Sequence, residues 1–175
     1  MQHIKSNIKN ITPDFNISFE NDAAMFALGE YLKSSKEHDK VFTLCIGTGS
    51  GSAYIENGAL VKDTLPNIEN GWIYNIPYKD SIIDDYISSR GILKISKDNG
   101  LDNVTVKDIA ELALSENAVA KHVWYEFGEN LKEVLALVTK DFKPSKIVIG
   151  GQISKSYKLF IDSSREYFNL SLIHI

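Results

Sequence analysis

The chain has 175 residues, of which 43% are hydrophobic and 24% charged, and its formal net charge is -4. These values are typical of one soluble domain with a sizeable core, and the acidic balance offers no basic surface for nucleic acid or an anionic membrane. The single cysteine, Cys45, excludes an intrachain disulfide and a cysteine zinc cluster. Because no apolar run reaches membrane length and the first 20 residues lack the apolar block of a signal peptide, we expect a cytoplasmic protein.

The first half of the chain predicts a helix followed by an antiparallel meander. A short strand ending at Ile17–Phe19 leads into a helix over residues 21–35, whose apolar side chains recur every three or four positions. Three further strands are predicted at Val41–Ile46, Ser52–Glu56 and Ala59–Lys62. The last two are joined by Asn57-Gly58, the dipeptide that type I′ hairpins prefer.

The second half predicts helices around one further strand. Thr105 and Asp108 have the capping-box spacing that opens a helix. In order, the patterns indicate an irregular segment at 63–78, helices at Asp80–Ser96, after Thr105 and at Glu116–Asp141, the strand KIVIGG, a helix near Tyr157–Tyr167 and a strand-like LSLIHI. A meander followed by alternating helices and strands predicts an α/β fold with a mixed sheet.

Glycines interrupt the apolar pattern in the stretch CIGTGSGSAYIENGALV, at Gly47, Gly49 and Gly51. Glycine inside a strand pattern usually marks a sharp turn or a close approach of the backbone to another group. Two interpretations are open from this stretch alone. It is a tight turn between two strands, or a loop whose backbone N–H groups face a phosphate.

Four stretches, in this order, resemble motifs of one family. FENDAAMFALGE is similar to E-N-D-A-N-A-A-A-x-G-E, IGTGSGSAYIENGAL to I-G-T-G-x-G-G-G-x-x-x-N-G-x-L, IDDYISSRGI to L-E-x-Y-x-S-G-x-A, and DFKPSKIVIGGQIS to D-P-x-x-I-V-I-G-G-G-I-S. These are motifs of the ROK family of sugar kinases and repressors, and they span most of the chain from Phe15 to Ser154. The resemblance implies a ribonuclease H-like, actin/hexokinase/Hsp70-type fold, in which ATP and sugar meet in a cleft between two domains.

The resemblance also implies a sugar site. Asp22 falls at the position of the catalytic base, which accepts the proton of the sugar hydroxyl, and Asn21 falls at a position that binds sugar hydroxyls. The alternative for Asp22 is a plain helix-capping aspartate. Ala24 stands where the family usually has a second asparagine.

For ATP, the resemblance implies two glycine turns. Gly47, Thr48, Gly49 and Gly51 fall at the phosphate motif, and Gly150 and Gly151 at the adenosine side. Each has a simple strand-to-loop turn as its alternative. Mg²⁺ is expected to accompany ATP in the complete enzyme.

One motif departs from the family pattern G-E-I-G-H, whose glutamate and histidine contact sugar hydroxyls. Aligning ENGW on E-I-G-H retains Glu69 and Gly71 but places Trp72 at the histidine. Trp72 cannot accept a hydrogen bond or ligate a metal, so it either packs in the core, which we favour, or stacks on a sugar's apolar face. The family's C-x-C-G-x-x-G-C loop does not occur here, and we expect no zinc.

The motif D-x-G-G-T-K, with which kinases of this family grip ATP from a second domain, does not occur in this sequence. We therefore expect residues 1–175 to form a single C-terminal ROK-type domain, with residues 1–36 bordering the interdomain cleft and the N-terminal phosphate-binding domain absent. Such a piece of a sugar kinase is expected to be inactive alone and to associate with the missing domain or another copy. The alternatives are a non-catalytic, sugar-sensing regulatory protein and a domain that only self-assembles.

Overall fold

The computed structural model describes residues 19–33, 39–63, 66 and 68–162. These residues form a mixed sheet, four α-helices and shorter elements. The described elements, in chain order, are α1 (Asp22–Lys33), β1 (Lys40–Ile46), β2 (Ser50–Glu56), β3 (Ala59–Leu60), β4 (Pro77–Tyr78), β5 (Ser81–Ile82), a 3₁₀ helix (Ile83–Asp85), α2 (Ser89–Asp98), α3 (Val106–Leu114), α4 (Ala118–Thr139), β6 (Lys146–Gly150) and a second 3₁₀ helix (Ile153–Leu159). No described helix has both the length and the apolarity to cross a membrane.

The main sheet has the strand order β3–β2–β1–β6. The three strands of the meander are antiparallel, and β6 lies parallel to β1, with Phe42 opposite Ile147. The predicted α/β class with a mixed sheet is therefore confirmed. Because β1 and β6 run in the same direction, both end at the same edge of the sheet.

Each face of the sheet packs against a different layer. The face that carries Phe42, Leu44 and Ile46 joins the larger core with α2, α3 and α4. The opposite face, which carries Val41 and Val148, packs against the small residues of α1. This alternation along β1 and β6 follows from the two-residue period of a strand.

Local sequence signals set several helix boundaries correctly. Thr105 and Asp108 form the predicted capping box, in which each side chain accepts from the backbone N–H of the other. The long predicted helix is α4, which begins after the cap Asn117. The second predicted strand begins at Ser50, two residues earlier than expected, and the third is shorter, ending at Leu60.

The predicted helix at Asp80–Ser96 is wrong in its first half. Residues 77–82 form the β4–β5 hairpin, whose turn holds Lys79 at φ 52°. The helix begins only at Ser89, because the Ser88 hydroxyl caps it by accepting from Arg90 N at 3.2 Å.

Other predicted elements fall partly or wholly outside the described residues. Phe19 is exposed and belongs to no strand, while Ile17 and Ser18 lie outside. Near the end of the chain, a 3₁₀ turn through Leu159 stands where the last helix was predicted to begin, and residues 163–167 lie outside. The whole of LSLIHI lies outside as well.

Candidate active site

A cleft of about 610 Å³ opens at the sheet edge where β1 and β6 end, bordered by the first turn of α1. The start of α1, the turn between β1 and β2 and the residues after β6 meet there, and Tyr74 and Asp84 join them from the segment between β3 and α2. The cleft is lined by Asp22, Ala23, Phe26, Cys45, Ile46, Gly47, Gly49, Ser50, Gly51, Tyr74, Asp84, Gly151 and Gln152. Most of the residues predicted to act on sugar and ATP therefore lie on one concave surface.

Asp22 is the first residue of α1, and its side chain is exposed at the cleft. Asn21 precedes the helix and accepts from Ala23 N at 2.8 Å, so the asparagine occupies the capping position. Asp22 Oδ1 also accepts from Ala23 N, at 2.9 Å, whereas no described residue donates to Oδ2. Asp22 can thus accept a proton or a hydrogen bond from a ligand.

The turn between β1 and β2 has two backbone donors at its tip that pair with none of the residues the structure describes. Gly47 N donates to Gly49 O at 2.9 Å, which closes the turn. The backbone N–H groups of Thr48 and Gly49 donate to no described residue. Consecutive unpaired N–H groups form a concave partial positive charge, which is suited to an anion.

Asp84, which the sequence analysis did not single out, holds this turn from the side. Its carboxylate is buried, and Oδ1 accepts from Ser50 N at 2.5 Å and from Ser50 Oγ at 2.7 Å. Its Oδ2 pairs with the guanidinium of Arg90, on the first turn of α2. The signal that could have found it is the acidic position in the motif L-E-x-Y-x-S-G-x-A, where this chain has Asp84.

The second glycine turn contributes only one of its two glycines to the cleft. Gly150 is buried beneath Phe26, since a Cβ on this glycine would lie 2.7 Å from the ring tip. Gly151 is exposed, lines the cleft and has φ +89°, a conformation that L side chains rarely adopt. The sequence analysis also did not identify Phe26 as a residue of the cleft. The signal that could have identified it is an aromatic residue at a position where the family motif E-N-D-A-N-A-A-A-x-G-E has alanine.

The segment that departs from the family pattern lies at the rim. Trp72 is half-buried rather than packed in the core, which contradicts the interpretation favoured from the sequence. Its ring centroid lies 6.1 Å from that of Tyr74, which lines the cleft. Glu69 is exposed and is not among the lining residues, and Thr48 is exposed at the tip of the turn.

Among the described residues, the lining of the cleft contains two carboxylates, Asp22 and Asp84, and no lysine or arginine. The Asp84 carboxylate is paired with Arg90, which lies outside the lining. Burial, and secondarily the negative charge of Asp22, raise the pKa of the Cys45 thiol to about 11. Cys45 is therefore a neutral thiol at pH 7 and is not a nucleophile there.

No group of three or more histidine, cysteine or acidic side chains in the described part of the chain is placed to hold a metal ion.

The fold and the position of the cleft together define a class of protein. In the actin-like ATPase fold, a parallel strand pairs with the first strand of a meander and a cleft lies at the strand ends, as in this structure. The sequence model of the ROK family matches residues 2–174, and the chain belongs to the ROK family.

Both kinases and repressors are among its relatives. A glucokinase from Halalkalibacterium halodurans is 25% identical over 173 residues, covering 85% of this chain and 52% of the relative. An N-acetylglucosamine repressor from Escherichia coli O157:H7 is 24% identical over 167 residues, covering 85% of this chain and 41% of the relative. The chain thus spans about half the length of these curated relatives.

Solved structures agree on the fold. The ROK family glucokinase from Streptomyces griseus, in complex with glucose and AMPPNP, superposes with a TM-score of 0.73 at 21% identity. The match covers 89% of this chain and 62% of that chain. At this identity the likeness establishes the architecture, whereas the chemistry of the cleft has to be argued from its own residues.

Proposed function

We propose that this chain is the C-terminal domain of an ATP-dependent sugar kinase of the ROK type, which transfers the γ-phosphoryl group of ATP to a hexose or amino-sugar hydroxyl. One observation carries the proposal: an exposed carboxylate at a helix N-terminus, Asp22, shares a cleft with a turn that has two N–H groups without a partner in the described part of the chain. Phosphoryl transfer depends on positioning, on stabilising the charge of the phosphoryl group and on a residue that accepts the hydroxyl proton, so a carboxylate and N–H donors at one cleft support this proposal.

Each part has a defined task in this proposal. Asp22 accepts the proton of the attacking sugar hydroxyl, while Asn21 and Glu69 orient neighbouring hydroxyls. Because the Asn21 amide oxygen already accepts from Ala23 N, its NH₂ group is the part left for the sugar.

For the phosphate chain, the N–H groups of Thr48 and Gly49 are the donors. Gly51 lets the first turn of α1 lie close to β2, since a Cβ on this glycine would lie 2.9 Å from the Cβ of Ala23. Gly151 offers backbone to the adenosine side, whereas Gly150, covered by Phe26, acts only by letting that ring approach. Mg²⁺, when bound with ATP, would neutralise charge on the phosphate oxygens.

A second candidate, a non-catalytic sugar-sensing regulator, is favoured by Trp72. The residue stands where the family has its sugar-contacting histidine, and an indole can only donate a hydrogen bond. Together with Tyr74 it provides an aromatic surface at the rim of the cleft. Aromatic faces bind the apolar side of a pyranose without any need for catalysis.

The two candidates differ in what Asp22→Asn does. The experiment uses a form of the protein that also carries the domain with the D-x-G-G-T-K motif. It measures ADP release in the presence of a panel of hexoses and N-acetylhexosamines, and it measures the affinity for ATP. For a kinase, the variant is expected to lose at least about 100-fold in turnover and to keep ATP affinity within about threefold, because only the proton acceptor changes. The same change at Asp39, exposed at the opposite end of β1, is the matched control and should be neutral.

Three outcomes separate the proposals. Sugar binding with no ADP release in the unmodified protein would replace the kinase by the regulator. An equal loss of turnover and ATP affinity in Asp22→Asn would make Asp22 structural.

The 175-residue chain alone should bind ATP with a dissociation constant of about 1 mM or weaker, which corresponds to a binding free energy of about 4 kcal/mol in magnitude. Micromolar binding would contradict the expectation that this chain supplies only part of the ATP site.

A further inference from the structure

The glycine turn is fixed at both of its sides by one segment, residues 84–90. On one side, Asp84 Oδ1 accepts from Ser50 N at 2.5 Å and from Ser50 Oγ at 2.7 Å. On the other, Ser89 N donates to Gly47 O at 2.9 Å. The sides of the turn are therefore held from outside, while the tip residues Thr48 and Gly49 keep their N–H groups unpaired among the described residues.

Arg90 completes this arrangement. Its guanidinium pairs with Oδ2 of Asp84, and its Nε lies 3.5 Å from Oδ1 of Asp85. Asp84 is thus engaged at both oxygens, one by Ser50 and one by Arg90. A buried carboxylate left with an unpaired oxygen is costly, so Arg90 holds Asp84 in the orientation that serves Ser50.

The same contact matters for the charge at the turn. A Cβ on Gly49 would lie 3.4 Å from Asp84 Oδ1, so the carboxylate sits directly beside the tip that faces the cleft. An uncompensated carboxylate at this distance would repel a phosphate at the N–H groups of Thr48 and Gly49. No lysine or arginine lines the cleft, which leaves Arg90 as the cation in direct contact with the Asp84 carboxylate among the described residues.

We propose that Arg90 is a positioning residue for anion binding: by pairing with Asp84 it cancels the carboxylate's charge and locks Ser50, so that the glycine turn can receive a phosphate. The inference rests on the proposed function, since that function places a phosphate at this turn. It concerns residues outside the phosphate motif itself. It also predicts a specific energetic coupling between Arg90 and Asp84.

A double-mutant cycle on the 175-residue chain tests this coupling. The probes are inorganic tripolyphosphate and ATP, titrated without Mg²⁺ and followed by the NMR shifts of backbone amides. Arg90→Gln is expected to weaken binding about tenfold, and adding Asp84→Asn to it should restore affinity to within about threefold of the parent. The restoration is expected because the asparagine carries no charge yet keeps an oxygen that accepts from Ser50.

The matched control is Lys94→Gln. Lys94 is exposed one turn further along α2, and its ammonium lies over the Tyr86 ring rather than on Asp84. The change removes the same unit of charge from the same helix and should leave probe affinity unchanged within about twofold. Equal losses in Arg90→Gln and Lys94→Gln would overturn the proposal in favour of a general charge effect, and so would a failure of Asp84→Asn to restore binding.

A second measurement needs no ligand and separates this inference from the proposed function. Hydrogen exchange of the Ser50 amide should accelerate about tenfold in Arg90→Gln, while the Thr43 amide in the middle of β1 should not change. If the parent binds neither probe even at concentrations far above about 1 mM, the proposed function fails. Unchanged Ser50 exchange in Arg90→Gln would overturn the positioning role whether or not a probe binds. Arg90→Lys, which keeps the charge beside Asp84, is the variant to use if Arg90→Gln does not fold, and it should keep Ser50 exchange within about threefold of the parent.

Discussion

Two hairpin turns follow one another in the same meander, and they are held in different ways. The turn at Asn57-Gly58 joins β2 to β3 at the end of the sheet away from the cleft. Both residues have positive φ, 51° and 82°, as a type I′ turn requires. Its conformation is thus set by the two residues that form it. Other contacts, such as the hydrogen bond from Asn57 N to Asp39 O at 2.7 Å, are not needed to fix the turn type.

The turn at Gly47–Gly49 joins β1 to β2 at the cleft, and residues far along the chain hold it. Asp84 lies 34 positions after Ser50, and Ser89 donates to Gly47 from the start of α2. A turn fixed by its own residues uses its polar groups internally, whereas a turn fixed from outside can leave groups at its tip for a ligand. Of these two adjacent turns, the one held from outside lines the cleft, and its tip N–H groups have no partner among the described residues.

The largest effect on stability is expected from removing Asp84, whose carboxylate holds the Gly47–Gly49 turn from a distant part of the chain. Asp84→Ala deletes a buried acceptor of two hydrogen bonds from Ser50 and leaves Ser50 N and Arg90 without their partner. We expect a loss of about 2–3 kcal/mol in the free energy of unfolding, most of it from Ser50, since the guanidinium of Arg90 is half-exposed and screened. Urea denaturation followed by circular dichroism measures it.

The control for this change is Asp85→Ala, one residue along. Asp85 is only partly buried, accepts from Ser81 Oγ and lies 3.5 Å from Arg90, so its loss should cost less than about 1 kcal/mol. If both variants lost the same stability, the acidic pair would act as one surface charge cluster, and the turn would not depend on Asp84.

A smaller effect is expected at the other turn. Gly58→Ala places a side chain at φ 82°, and its Cβ would lie 3.2 Å from a ring carbon of Tyr31. We expect a loss of about 1 kcal/mol in the free energy of unfolding, with no change in tripolyphosphate affinity, because the turn is remote from the cleft. Asn57→Gly keeps the turn type and should stay within about 0.5 kcal/mol of the parent. A weaker affinity in Gly58→Ala would mean that the two turns are mechanically coupled.

The same contrast separates what the sequence predicted from what it did not. The Asn57-Gly58 turn, the capping box at Thr105 and the length of α4 are properties of neighbouring residues, and a single sequence contains them in full. The four motifs likewise located the start of α1 and both glycine turns. Their convergence on one cleft is an outcome of strand order, in which β6 joins β1 in parallel.

What sequence reasoning missed depends on contacts between distant segments. Asp80–Ser96 has an acceptable helical pattern, but its first half is drawn into the β4–β5 hairpin and into the contact between Asp84 and Ser50. Phe26 reads as one apolar position on α1, and only the packed structure shows its ring lying on Gly150. For Trp72, composition favoured burial, whereas the fold leaves it half-buried at the rim beside Tyr74.

The smallest expected effect tests whether Asp22 is charged and close to the turn. Cys45, opposite Gly51 in the β1–β2 register, is a half-buried reporter in the cleft wall. The pKa of its thiol is raised to about 11, firstly by burial and secondly by the negative charge of Asp22. The thiol of an unfolded chain ionises at about pH 8.5, so between that pH and about 11 the unfolded state binds fewer protons than the folded state. Stability is therefore lost as pH rises through this window, and below it this group has no pH effect.

The measurement is the rate of iodoacetamide alkylation of the folded chain between pH 8 and 10, because only the thiolate reacts. Asp22→Asn removes one negative charge beside the thiol, so the pKa of Cys45 should fall and alkylation at pH 9 should become about two- to threefold faster. Asp39→Asn removes an equal charge at the far end of β1, about 20 Å away along the strand, and should leave the rate unchanged. An unchanged rate in Asp22→Asn would mean that this carboxylate does not act on the cleft wall, and the proton-accepting role proposed for it would lose its electrostatic basis.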